Sequence, residues 1–168
     1  YVGVPMEVPI YKEETKTLSL TGDNIGEFFD VRNSDYYFKW DKDKNGFYST
    51  NQGEQNSTAS TILTAKYNLS DVNIEFVGES EANYDKFSIY LDGILDDGPY
   101  SGTVSNGQWY IDKLGAGETI EFVYKKDGTG DTLSDMFVVR FPSVTSTVKT
   151  IVGTEQKEVA RKIKKGYI

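Results

Sequence analysis

Apolar and polar side chains alternate with a period of two through most of the chain, and helical periodicity is almost absent. Val72, Ile74 and Phe76 give a strand one apolar face. Phe87, Ile89 and Leu91 do the same with Ser88 and Tyr90 opposite, and Ile120, Phe122 and Tyr124 alternate with Glu121 and Val123. This periodicity marks half-buried strands. Ser60–Ala65 and Gln108–Ile111 read as further strands, and the near-continuous apolar run Met136–Phe141 as a central one. Shorter extended segments are expected at Thr17–Leu20, Tyr36–Trp40, Phe47–Thr50 and Ser143–Ile151. Turn signals separate them: Thr21-Gly22-Asp23-Asn24, the polar loop Asn51–Ser57, and Asp41–Gly46, which closes on the hairpin dipeptide Asn-Gly.

About nine or ten strands at a spacing of roughly 10–15 residues predict an all-β fold, an antiparallel β-sandwich of jelly-roll-like kind. Tyr1–Ile10 is apolar and holds two of the four prolines, which suits an edge strand or extended arm. Thr154–Lys165 fits a helix and a β-branched strand about equally, and a strand or extended arm is the preferred reading. The expected organisation is an N-terminal arm at 1–16, a sandwich at 17–152 and a basic C-terminal arm at 153–168.

Charge sharpens that division. Residues 157–168 hold five basic side chains and one acid, while the preceding 156 hold 13 basic and 25 acidic, a net of −12. A basic, β-branched tail on an acidic body points to an assembly segment. The same acidity argues against nucleic acid as a partner, because phosphate contacts need a basic face. No run approaches the ~18 apolar residues of a membrane span, so membrane insertion is not expected. The chain opens at Tyr1 without a Met and carries no secretory signal, from which we expect a processed product or an excised segment. There is no cysteine, hence no disulfide framework and no thiolate chemistry; there is no histidine, hence no Ser-His-Asp triad and no His-based metal centre.

Several residue groups are candidates for chemistry. Asp41-Lys42-Asp43-Lys44-Asn45-Gly46 matches the opening of a Ca²⁺ loop, but Gln52 stands where the bidentate Glu is needed, so a polar hairpin turn explains it better. Trp40, Tyr48, Trp109 and Tyr110, with Phe47 beside them, are candidates for an aromatic platform that stacks on sugar rings; the competing reading is that they fill the core. Glu79 with Glu81 has the spacing of a glycosidase pair, as expected by chance in so acidic a chain. Asn56-Ser57-Thr58 and Asn68-Leu69-Ser70 are formal glycosylation sequons.

Asn83-Tyr84-Asp85-Lys86-Phe87-Ser88-Ile89-Tyr90-Leu91-Asp92-Gly93 resembles the "YD" strand of CUB-like and carbohydrate-binding jelly-roll domains, without the CUB cysteines. That resemblance implies a calcium site at Glu81 and Asp85 with Asp131 or Asp135; otherwise no cofactor is expected. Ala160-Arg161-Lys162-Ile163-Lys164-Lys165-Gly166-Tyr167-Ile168, together with Tyr1-Val2-Gly3-Val4, resembles a repeat in structural proteins of phages of Gram-positive bacteria. It implies a virion or tail component that pairs with other virion subunits or with itself through Arg161, Lys162, Lys164, Lys165 and Tyr167. The expected function is therefore a non-enzymatic structural protein of a phage particle whose sandwich contacts a host-surface glycan. The alternative is a carbohydrate-binding module of a secreted bacterial protein, and a glycan-active enzyme ranks third.

Overall fold

A computed structural model describes residues 2–128 and 135–161, with side chains at 3–128 and 135–158. Among these residues the alternating pattern folds as eleven strands and one 3-10 turn, Ile25–Glu27. The strands are β1 Val2–Leu20, β2 Phe29–Asn33, β3 Phe38–Asp41, β4 Gly46–Ser49, β5 Thr58–Ala65 and β6 Leu69–Gly78. They continue as β7 Lys86–Leu91, β8 Ile94–Tyr100, β9 Val104–Leu114, β10 Thr119–Lys125 and β11 Phe137–Arg161. One sheet runs β3-β4-β11-β6-β9, with β1 also paired to β11, and the other runs β2-β5-β10-β7-β8. The chain is an all-β antiparallel β-sandwich.

The pairing has a simple origin. β4 pairs with β11, β5 with β10, β6 with β9 and β7 with β8, all antiparallel. This is one long hairpin ribbon whose tip is the Asp92-Gly93 turn, where both residues have positive φ, +51° and +81°. Rolling the ribbon up brings β11 against β6 and β10 against β7, which is how a jelly roll closes. β3 and β2 extend the two sheets at their edges.

All nine phenylalanines are buried, none more than 8 % exposed. They form one cluster between the sheets: Phe87 stacks on Phe137 at 4.8 Å, Phe76 lies 5.1 Å from Phe87, and Phe38 touches both Phe87 and Phe122. Ring pairs of this kind add about 0.5–1.5 kcal/mol each beyond area burial. Gly107 is required by the same packing, because a Cβ there would stand 2.3 Å from the Phe76 ring.

Two compact units divide the chain, one of them Lys16–Ser146, which holds both sheets and the core. The described part of the other is a two-stranded ribbon of residues 2–15 and 147–161, the outer parts of β1 and β11. Lys149 meets Glu13 at 3.5 Å and Gln156 meets Glu7 at 3.5 Å, so the strands run antiparallel. That run brings Tyr11 and Ile10 alongside Ile151 and Val152, all four of them 40–59 % exposed. At about 3.4 Å per residue, the fourteen β1 residues of the ribbon reach ~45 Å.

β11 crosses Pro142 without ending. Its register against β6 shifts on both sides of Ser143, so the proline sits in a bulge where no ladder donor is needed.

Candidate functional site

Strand parity sorts the sheet β3-β4-β11-β6-β9 into two faces. Val72, Ile74 and Phe76 of β6 point into the core, so Asn73 and Glu75 point out. The paired register puts Tyr110 opposite Asn73 and Gln108 opposite Glu75, on the same outer face. The bulged stretch of β11 borders them, and together Asn73, Glu75, Gln108, Tyr110, Pro142 and Ser143 line a groove of about 390 Å³. A second groove of about 460 Å³ lies between Val77–Glu79, Thr103–Ser105 and Asp135, Met136 and Val138.

Tyr110 is the aromatic of the first groove. Its hydroxyl donates to Asp71 Oδ1 at 2.5 Å, while the residue stays 55 % exposed. The hydrogen bond to Asp71, with Asp112 nearby, pushes the phenol up to about 12. The ring reaches across the β6–β9 pair, is anchored at its tip to the neighbouring strand, and stays more than half exposed. Asn73 Nδ2 donates to Ser143 Oγ at 3.0 Å and to Asp71 O at 3.1 Å, which fixes the opposite wall.

The other members of the expected aromatic platform do not join Tyr110. Trp109 is one residue away and therefore points inward; it is 7 % exposed, and its Nε1 donates to Asp96 Oδ2 at 2.7 Å. Trp40 shares the inner parity of Phe38 and packs edge-on against Phe47, centroids 5.1 Å apart. Tyr48 is on the outer face, but two strands, β11 and β6, separate β4 from β9, a lateral distance of about 14 Å. Its ring face is covered by Lys44 Nζ at 4.9 Å from the centroid. The four residues thus split between two faces and two ends of the sheet.

The carboxylates expected to hold calcium are partly brought together. Carboxylate oxygens of Glu81, Asp85 and Asp127 fall within 4.8 Å of one another. Asp85 is 2 % exposed; its Oδ1 accepts the Asp127 N–H at 3.0 Å and its Oδ2 the Glu81 N–H at 3.4 Å. The donor set is oxygen only, the chemistry of a hard cation such as Ca²⁺. Asp135 is not in this group, and its carbonyl accepts from Lys126 Nζ at 3.4 Å. Asp131 lies outside the described residues. Asp127 takes the third place; its Lys-Asp-Gly context after β10 signals only a turn, and nothing local to it points at Glu81.

Asp41–Gly46 is the hairpin turn its Asn-Gly predicts. Asp41 Oδ1 accepts the N–H groups of Asp43 and Lys44 at 2.8 and 3.3 Å, and Lys44 Nζ reaches Oδ2 at 3.1 Å. These bonds, that from Lys44 first, hold the carboxyl below its usual value. Of the assembly residues, Arg161 ends the described part of β11, and Lys162, Lys164, Lys165 and Tyr167 lie outside the described residues.

Neither a protein-family model nor a curated protein matches the chain. Among solved structures it is similar to the secreted serine protease VesC from Vibrio cholerae, with 12 % identity and a TM-score of 0.51 over 68 % of this chain. The match spans 25 % of that protein's length. At this identity the likeness shows the fold alone.

Proposed function

We propose that the chain is a non-enzymatic structural component of a phage virion or phage tail-like particle, and that its two ends are the assembly element. The exposed ribbon carries this reading. An isolated two-stranded ribbon is at best marginally stable in water, yet this one displays Ile10, Tyr11, Ile151 and Val152 to solvent. Apolar side chains displayed along a ribbon of ~45 Å suit burial against another subunit. The charge pattern supports the same reading: Lys16–Ser146 holds 11 basic and 21 acidic side chains, and residues 159–168 hold four basic and no acidic ones. Main-chain pairing supplies affinity, and charge sets register.

The test is the oligomeric state by light scattering, and co-sedimentation with particles, for the full chain and two variants. One variant lacks residues 159–168, and the other carries Ile151→Lys with Val152→Lys. Both are expected to lose association while the thermal transition of the sandwich stays in place. Unchanged association in both overturns the reading.

The second reading, a carbohydrate-binding module of a secreted bacterial protein, is favoured by the solvent-facing ring of Tyr110 in its polar groove.

A further inference from the structure

We propose that the groove on the outer face of β11, β6 and β9 binds a neutral saccharide, with one pyranose ring stacked on Tyr110 and its hydroxyls bonded by Gln108 and Glu75. The inference deepens the sugar-contact part of the reading above and does not depend on assembly.

Three observations carry it. The first is the Tyr110 ring. Its hydroxyl is held by Asp71 at 2.5 Å while 55 % of the residue is exposed, so the ring is pre-oriented and little side-chain freedom is lost when a ligand covers it. An oriented aromatic face matches the apolar C–H face of a pyranose and suits no charged group of its own sign.

The second is the polar rim. Gln108 stands two residues from Tyr110 on the same face, and Glu75 is its direct cross-strand partner. Both are exposed. Gln108 offers two donors and an acceptor, and Glu75 offers two acceptor oxygens, a combination that serves vicinal hydroxyls acting as donor and acceptor at once. Asn73 and Ser143 are already bonded to each other, so they form a fixed wall. The groove, at about 390 Å³, has room for one or two sugar rings.

The third is charge. Asp71 and Asp112 lie beside the Tyr110 hydroxyl, Glu75 lines the same groove, and the unit that bears them has ten more acidic than basic side chains; Arg140, across from Glu75 on β11, is engaged by Lys44 O and Asn45 O. A uronate, a sulfated glycan or a phosphate-bearing wall polymer meets like charge there, whereas a neutral sugar does not. Specificity for neutral over anionic glycans follows from the residues that line the site.

The experiment is an amide NMR titration of the full chain with cellotetraose, maltotetraose, chitotetraose and galactobiose, each to about 10 mM, which reveals dissociation constants near 1 mM. Polygalacturonate is the anionic comparison. At least one neutral sugar is expected to give saturable shifts at Asn73–Glu75 and Gln108–Tyr110. Tyr110→Ala should weaken that binding by about tenfold or more, and Gln108→Ala by roughly two- to tenfold, the worth of one hydrogen bond. Tyr48→Ala, on the same face but across β11 and β6, should change nothing. Silence from all four sugars, binding that survives Tyr110→Ala, or a preference for polygalacturonate overturns the proposal. Light scattering on the same variants separates the two readings: Tyr110→Ala leaves association untouched, and the ribbon variants leave sugar binding untouched.

Discussion

The indole Nε1 of Trp109 donates to Asp96 Oδ2 at 2.7 Å, joining the edge strand of one sheet to the edge strand of the other. β8 and β9 are consecutive in the chain but lie in different sheets, so this bond closes the open side of the sandwich. Trp109 is 7 % exposed, and removal of Asp96, itself exposed, exchanges a charge-assisted bond for one to water. Asp96→Ala should therefore cost about 1–3 kcal/mol. Trp109→Phe, which loses donor and volume together, should cost as much or more. Urea unfolding of each variant measures both; a midpoint for Asp96→Ala equal to that of the parent rules the closure out.

The stacked pair Phe87 and Phe137, 4.8 Å apart with planes 2° from parallel, ties β7 of one sheet to β11 of the other. Both rings are fully buried. Phe87→Ala and Phe137→Ala should each cost about 3–5 kcal/mol, and the double variant less than the sum, because the rings share one cavity. A double-variant cycle in denaturant reads the coupling, and strict additivity contradicts the shared-cavity account.

How much of this was legible in the sequence depends on burial. The strands with one clean apolar face, β6, β7 and β10, stand where Val72–Phe76, Phe87–Leu91 and Ile120–Tyr124 put them. β2 and β8 escaped, and both are edges of the sheet β2-β5-β10-β7-β8. An edge strand has little core face to record: β2 buries only Phe29, and Ile94, Leu95 and Asp96 of β8 are all exposed. Pro142 split Met136–Phe141 from Ser143–Ile151 in the sequence, whereas the bulge at Ser143 lets β11 run through. The aromatic platform failed for a related reason. Parity assigns a residue to a face only once its strand's inward set is known, and Trp109 and Tyr110, being neighbours, could never share one. Gln108 and Glu75 carry no local signal, because their partnership exists only in the β6–β9 register.

Alkaline pH should weaken the fold through specific tyrosines. Tyr100 donates to Asp97 at 2.5 Å, and that bond, with partial burial, pushes its phenol up to about 12. Burial raises Tyr124, with Asp85 and then Asp135 adding to it. Phenols of the unfolded chain ionise near 10. Between about 10 and 12 the folded state holds protons that the unfolded state has released, so stability is complete below 10 and falls as pH rises through that window. Tyrosinate absorbance should show a late-ionising group that moves toward the usual value in Asp97→Asn. If that variant titrates like the parent, Asp97 is not the cause.

Asn51 fixes the loop between β4 and β5 to the end of β10. It is 0 % exposed, and its Nδ2 donates to Ser57 O at 3.4 Å, Ser57 Oγ at 3.2 Å and Tyr124 O at 3.2 Å. Asn51→Ala removes these bonds from the interior, while Ser57 O keeps the Lys126 N–H and Ser57 Oγ keeps its bond to Glu54 O, and should cost about 1–3 kcal/mol. Asn51→Asp is the more telling change. It keeps the shape but turns the donor into an oxygen facing carbonyls, in a site without solvent to stabilise charge. The buried carboxyl is held in its neutral form, so its folded pKa lies above that of the unfolded chain, near 3.9. Stability relative to the parent should then worsen as pH rises from 4 to 7 for Asn51→Asp and stay level for Asn51→Ala. Thermal unfolding of the three proteins across that range decides it, since equal pH profiles would mean that the new carboxylate reaches water and that the loop is not pinned.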